Sequence, residues 1–326
     1  MVTHAHEQGL VQIENGGEFG GAPLLNICIP VYRFLPERLL KSLFLCDGID
    51  GVGLCICDDG SGDPELQDAL RGLLSLHKGP FTLITFANNQ GRSAARNSLI
   101  THSRAEWLLF LDGDMEVPDH LFLKRYFEWI TLLHSPAILV GGFTVPEVDD
   151  PSRALHRAQS LASECLPASQ RRLHPAAYVY TSTLWVHRAV LEAEPFDNAF
   201  VGWGGEDVEW GIRVSQHFPI FHIDNPAIHL GLERDEVLIQ KYEQSGPNFA
   251  RLYEKHPEAV RRMRLGKGAL RLRALPRPVR SALRELARRV ALDRERIPIT
   301  LRLYALKLFR WAVYGEALSQ FSRGNL

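Results

Sequence analysis

Residues 52–62, VGLCICDDGSG, join a continuous apolar run to an acidic, glycine-rich turn. An apolar run this short, with no polar alternation, reads as a strand buried on both faces, which is the habit of a parallel sheet. Working outward, the same pattern recurs. Residues 24–31 (LLNICIPV), 81–86 (FTLITF), 107–111 (WLLFL) and 137–140 (AILV) are further buried strands. Between them, residues 35–46, 64–77, 91–103 and 118–133 have helical spacing of apolar positions. Strands alternating with helices over about 140 residues predict an α/β, Rossmann-like, mostly parallel sheet with flanking helices. In such sheets ligands bind beyond the carboxyl ends of the strands. DDGS (58–61) and DGD (112–114) fall at two of those ends.

The alternation stops after Gly141. A strand is expected within 178–186 and a helix from Glu206 through 217. From Glu236 onward the chain reads as helix punctuated by prolines. Residues 1–22 lack a basic start followed by an apolar stretch, so they read as a loose arm rather than a leader. The expected organisation is an arm (1–22), an α/β domain (23–233) and a basic helical C-terminal extension (234–326).

The five cysteines form no metal-ligand spacing. Cys55 and Cys57 share a strand face and read as reduced core residues, pointing to a reducing, cytoplasmic compartment. No run of about 18 apolar residues appears. Net charge is −1, but residues 261–310 hold 16 basic and 3 acidic residues, leaving 21 basic and 35 acidic elsewhere. That basic tail fits packing on the acidic body, contact with a second copy in a homo-oligomer, or a peripheral position on anionic lipid. Nucleic acid is disfavoured, because no aromatic residue interleaves with the arginines before Tyr304.

Several groups can carry chemistry. Asp112 and Asp114, with Gly113 between, can address one hard cation, though acidic turns are common. Asp58 and Asp59 either cap the next helix or bind a ligand, and capping by Ser61 or Asp63 does not need both aspartates. Arg92 and Arg96, four apart behind Gly91, share a helix face at an anion-favouring terminus, or are simply solvated. His229, alone among apolar neighbours, is ordinarily a core or surface residue. In residues 202–207, GWGGED, three glycines bring backbone and the flat face of Trp203 close to a ligand. Glu206 and Asp207 follow at a helix start, as an N-cap or as a general base.

Taken in order, IPVY (29–32), DDGS (58–61), GRSAARN (91–97), DGD (112–114), GWGGED (202–207) and His229 resemble the family-two glycosyltransferases of GT-A fold, across residues 24–233. DGD corresponds to that family's DxD motif. GWGGED is similar to the motif of galactosyl- and N-acetylgalactosaminyltransferases, including chondroitin-type polymerases. The resemblance implies an inverting, metal-dependent transfer of a galactose-, N-acetylgalactosamine- or N-acetylglucosamine-type sugar from a UDP-sugar. The acceptor would be a glycan or lipid-linked glycan in surface polysaccharide synthesis. It implies that Pro30, Tyr32 and Asp59 hold uracil and that Arg92 and Arg96 lie near the nucleotide. Asp112 would contact ribose or metal, and Asp114 and His229 would ligate Mn²⁺ or Mg²⁺. Trp203, Gly204 and Gly205 would border sugar and acceptor, Asp207 would be the base, and Glu206 would bind donor sugar or acceptor. Arg33 departs from the asparagine common among relatives. The rival expectation is a sugar-nucleotide-binding module of the same fold without catalysis.

Overall fold

A computed structural model describes residues 2–6, 9–17 and 23–324. The chain forms two compact units. The first comprises residues 1–144, 166–199 and 213–231; the second comprises 145–165, 200–212 and 232–326.

The first unit holds every strand among the described residues. These are β1 (Val2–His6), β2 (Gly9–Gly16), β3 (Leu25–Val31), β4 (Gly53–Asp58), β5 (Phe81–Phe86) and β6 (Trp107–Leu111). They continue with β7 (Met115–Glu116), β8 (Ile138–Val140), β9 (Phe143–Thr144), β10 (Thr183–His187), β11 (Ile220–His222) and β12 (Ala227–His229). Nine form one sheet in the order β1-β2-β5-β4-β3-β6-β10-β8-β11, and β7-β12-β9 form a small second sheet. β3, β4, β5 and β6 run parallel, whereas β10 is antiparallel to β6 and β8. The mostly parallel α/β sheet with flanking helices is therefore present, and its interior strands are buried along nearly their whole length.

The chain builds outward from β3 through β4 to β5, then crosses to the other side of β3 for β6. That reversal leaves a crevice at the carboxyl ends of β3 and β6. The parallel register sets Val31 beside Asp58, so the acidic turn after β4 stands at the same edge. Underneath, Ile27, Ile29, Leu54, Ile56, Leu109, Leu111 and Trp185 are fully buried. Truncating one such leucine to alanine costs about 2–5 kcal/mol. The helix Pro64–Leu74 starts at Asp63, whose carboxylate accepts from the Glu65 and Leu66 amides at 3.0 and 3.2 Å, with Pro64 in the first turn. Capping thus falls to Asp63 and leaves Asp58 and Asp59 for other work. Cys28, Cys46, Cys55 and Cys57 are buried free thiols, and burial pushes the Cys55 thiol up to about 12.

Two expectations are corrected. Residues 1–22 are not a loose arm where they are described. β2 pairs antiparallel with β5, Ile13 is buried, and Asn15 accepts from the Thr82 hydroxyl at 2.8 Å. Alternation over four residues in VQIE (11–14) is the local trace of that strand. The boundary at 233 also gives way to interleaved units, because residues 145–165 and 200–212 join the C-terminal helices.

In the second unit, the helix Ala154–Ser163 and the helices from Asp235 onward share a core. That core centres on Leu155, Leu238, Tyr242, Phe249, Leu306, Phe309 and Val313. Within the basic tail, Arg302 is buried against Asp235, and Arg284 pairs with Glu316 at 2.8 Å. Packing therefore accounts for part of its charge.

Candidate functional site

At the β4 edge, Asp59 is 4% exposed and its carboxylate is bound by the loop that leads into the helix Arg92–His102. Oδ1 accepts from the Gln90 amide at 2.7 Å. Oδ2 accepts from the Gly91 amide at 2.9 Å and from Asn89 Nδ2 at 3.0 Å. Burial raises the Asp59 carboxyl above its ordinary value, and the two amides oppose this. Asp58 is fully buried. Its Oδ1 accepts from the Ser61 amide at 3.0 Å, and its Oδ2 has no partner among the described residues. Ser61 in turn accepts from the Arg33 amide at 2.7 Å.

Arg33 is the only non-glycine residue with positive φ among those described, at 51°. Asparagine tolerates that left-handed conformation better than arginine, which gives a physical reason for asparagine among relatives. Here the guanidinium lies 5.1 Å from the Tyr32 ring centre, a cation–π contact that offsets part of the strain. Tyr32 itself is 43% exposed and offers a ring face at this edge. Strain and an orphaned carboxylate oxygen collect at one strand edge, as is common where a fold has been bent toward a task.

Gly91, at φ 92°, turns the chain into the helix Arg92–His102. Arg96 is 1% exposed and donates from Nη2 to Asp112 Oδ1 at 3.3 Å, with its guanidinium 5.8 Å from the Phe196 ring. Asn97 clamps the loop after residue 195, donating to the Phe196 carbonyl at 2.8 Å and accepting from its amide at 3.0 Å. Arg92 is exposed.

Asp114 meets His229 across the small sheet, where β12 pairs antiparallel with β7. His229 Nε2 lies 3.2 Å from Asp114 Oδ2, and the Leu230 amide donates to the Asp114 carbonyl at 2.9 Å. Burial pushes the Asp114 carboxyl up, but the His229 contact and the Arg92 charge outweigh it and hold the group below its ordinary value. Gly231 makes the pair possible. A Cβ there would stand 2.0 Å from Asp114 Oδ2 and 3.0 Å from His229 Nε2. Sequence reading passed over Gly231, although its place two residues after His229 was the available signal.

No group of three or more histidine, cysteine or carboxylate ligands gathers among the described residues. Asp114 and His229 stand as a pair, while Asp112 turns one oxygen to Arg96. The donor set of one carboxylate and one imidazole, in space kept clear by Gly231, suits a divalent cation that takes its other ligands from phosphate oxygens and water.

The second unit carries residues 202–207. Gly202, Gly204 and Gly205 have φ of 80°, 91° and 97°, so the three glycines are required by backbone conformation. They lead into the helix Glu206–Val214. Glu206 is buried and Asp207 partly exposed, both in the first turn. Trp203 packs edge-on against Tyr242, ring centres 5.2 Å apart, so part of its surface serves the helical core. One turn later Glu209 is fully buried, with Lys255 Nζ at 2.6 Å and His256 Nε2 at 3.3 Å. Those two contacts fix the helix that presents Asp207.

A sequence model described as "Glycosyl transferase family 2" matches residues 26–193. It covers Pro30, Tyr32, Asp59, Arg92, Arg96 and Asp112 to Asp114, and ends before GWGGED and His229. No curated protein matches the chain. Among solved structures, the mannosyltransferase PcManGT from Pyrobaculum calidifontis in complex with GDP-Man and Mn²⁺ is similar at TM-score 0.57. It has 15% identity, over 93% of this chain and 89% of that one. Residues 1–349 of TarS from S. aureus give TM-score 0.51 and 15% identity, over 92% of this chain and 91% of that one, and the same TM-score with UDP bound. At these identities the likeness speaks for the fold.

Proposed function

The chain belongs to glycosyl transferase family 2 and is a glycosyltransferase; from that premise, we propose that it transfers a sugar from a UDP-sugar to a hydroxyl of a glycan or lipid-linked glycan, inverting the anomeric carbon. The carrying observation is the Asp114–His229 pair at 3.2 Å with Gly231 kept bare beside it. Galactose or N-acetylgalactosamine is the favoured donor sugar, on the strength of GWGGED. Surface polysaccharide synthesis at the cytoplasmic face of a membrane is the proposed setting. No helix among the described residues is long and apolar enough to cross one.

Asp114 and His229 would hold Mn²⁺ or Mg²⁺, and a bound cation would offset the charge that develops on a departing diphosphate. Tyr32 offers its ring to the base, beside Pro30. Asp59 shapes the loop of residues 89–91 with three accepted bonds and retains capacity for one more donor, such as the imide of uracil. Arg96 steadies Asp112, which would accept from a ribose hydroxyl. Arg92 adds positive charge where phosphates would lie. On the second unit, Asp207 takes the proton of the acceptor hydroxyl, a weak nucleophile until it is deprotonated. Glu206 binds donor sugar or acceptor, and Trp203, Gly204 and Gly205 border the sugar. A single displacement with one base inverts configuration. Two solved structures of similar fold carry UDP and GDP-Man with Mn²⁺ in their descriptions, which supports a nucleotide-sugar donor here.

The test is turnover of a panel of UDP-sugars with Mn²⁺ or Mg²⁺, with and without simple glycosides as acceptors. Metal-dependent release of UDP from one donor supports the proposal. Tight UDP binding without turnover of any donor would instead favour the binding-module reading.

A further inference from the structure

A cavity of about 280 Å³ lies in the second unit between the helix Ala154–Ser163 and the helix Ile299–Gly324. Its size is near the lower limit of small-molecule sites, roughly 300–1,000 Å³. One wall is a single face of the C-terminal helix. Thr300, Leu303, Tyr304, Lys307 and Arg310 follow at helical spacing. The facing wall is chemically quiet. Gln159 accepts from the Tyr242 hydroxyl at 2.6 Å and donates to Glu164 Oε1 at 2.8 Å, and the Ser163 hydroxyl donates to the Gln159 carbonyl at 2.8 Å.

The two cations on the helical wall are different. Neither Lys307 nor Arg310 has a carboxylate within 4.0 Å among the described residues. Lys307 lies 5.8 Å from the Tyr304 ring centre, and the Arg310 guanidinium lies 4.2 Å from that of Tyr242. Arg310 Nε is shielded from solvent and has no hydrogen-bond partner among the described residues. Elsewhere in this unit Arg302 pairs with Asp235, Lys255 with Glu209 and Arg284 with Glu316, while buried Arg280 rests on the Arg273 and Leu275 carbonyls. Burial disfavours the Arg310 charge, and Tyr242, Tyr314 and the more distant Glu164 support it. Both cations line the same cavity, Lys307 exposed and Arg310 half-buried, and Leu303 and Leu306 lie beside them.

We propose that this cavity binds a small anionic amphiphile, its phosphate or carboxylate head held by Lys307 and Arg310 and its apolar body laid on Leu303, Leu306 and Tyr304. The inference does not depend on the assignment of donor and acceptor residues.

The experiment is calorimetric titration of the full chain with n-hexyl phosphate, with inorganic phosphate and with n-hexanol, each in the presence of saturating UDP. Hexyl phosphate is expected to bind at one site per chain, with the two partial probes weaker by about tenfold or more. Lys307→Gln and Arg310→Gln are each expected to weaken hexyl phosphate by about tenfold. Lys307 is exposed, so its variant keeps the fold even if Arg310→Gln does not. No binding of hexyl phosphate, displacement by UDP, inorganic phosphate binding equally well, or unchanged affinity in Lys307→Gln would each overturn the proposal.

Discussion

Gly231→Ala isolates the Asp114–His229 pair from the rest of the fold. Gly231 does not have a left-handed φ, so the methyl acts only by occupying space. It would stand 2.0 Å from Asp114 Oδ2, 2.9 Å from its Cγ and 3.0 Å from His229 Nε2. Those atoms are side-chain ends, so they can swing away without moving backbone. What is lost is the 3.2 Å contact, in a pair whose side chains are 36% and 22% exposed. Solvent screening at that exposure limits the stability cost to about 1 kcal/mol. For a chain of this length that lowers Tm by about 2–4 °C. Binding is hit harder, because two ligands must converge on one ion. Disturbing ligand orientation typically costs about 10–100-fold in metal affinity, or about 1.4–2.7 kcal/mol. The assay is UDP titration at fixed Mn²⁺ beside a thermal melt. A UDP affinity within twofold of wild type would show that the pair takes no part in holding the nucleotide. So would a collapse of Tm by more than about 10 °C, since Gly231 would then be holding the fold rather than the pair. A pH melt adds a second reading. Asp114 sits below its ordinary value in the folded chain, so its contribution is present above the unfolded pKa and is lost as pH falls below about 4. Gly231→Ala should have little of that acid-limb contribution to lose.

Asp207→Asn should reduce sugar transfer by at least about 10³-fold while leaving UDP affinity nearly unchanged, since a general base acts only on the acceptor; single-turnover kinetics and UDP titration check both halves. Buried His222 receives Arg171 Nη1 on Nδ1 at 3.0 Å and faces the Pro175 carbonyl through Nε2 at 3.0 Å, which fixes a neutral tautomer. Burial lowers it to about 4, so its stabilising effect is full above the unfolded value near 6.5 and is lost as pH falls from there to about 4. His222→Gln should flatten that segment of the stability–pH curve, a change of up to roughly 3 kcal/mol read by urea melts at pH 7, 5.5 and 4.5.

The sheet was legible because its strands are local, continuous apolar runs. WLLFL maps onto β6 without shift, and both acidic turns fall at strand ends. The helices 64–77 and 118–133 came out shorter, at Pro64–Leu74 and Phe122–Ile130, because apolar spacing carries on past the last helical hydrogen bond. The expected strand at 178–186 is Thr183–His187, preceded by a short 3₁₀ turn. Hidden features depend on partners distant in sequence. Asp59 could be recognised as a site residue, but its engagement by the loop at Asn89 to Gly91, thirty residues on, could not. Asp112 was grouped with the metal ligands on spacing, whereas one oxygen points to Arg96, buried by Phe196 from another segment. The grouping of residues 145–165 and 200–212 with the C-terminal helices also arises from long-range packing, which periodicity does not encode. Within the basic tail, charge counting gave no hint that Arg302 would be buried against Asp235 or that Arg284 would pair with Glu316.

If Asp114 and His229 grip a nucleotide diphosphate through a divalent cation, UDP affinity must depend on both the metal and the carboxylate. UDP titration of wild type and Asp114→Ala, each with Mn²⁺ and with chelator, addresses it directly. The predicted result is binding by wild type that weakens by about 100-fold or more in chelator, and binding by Asp114→Ala that is weak under both conditions. Equal UDP affinity with and without metal, or wild-type affinity in Asp114→Ala, would contradict it.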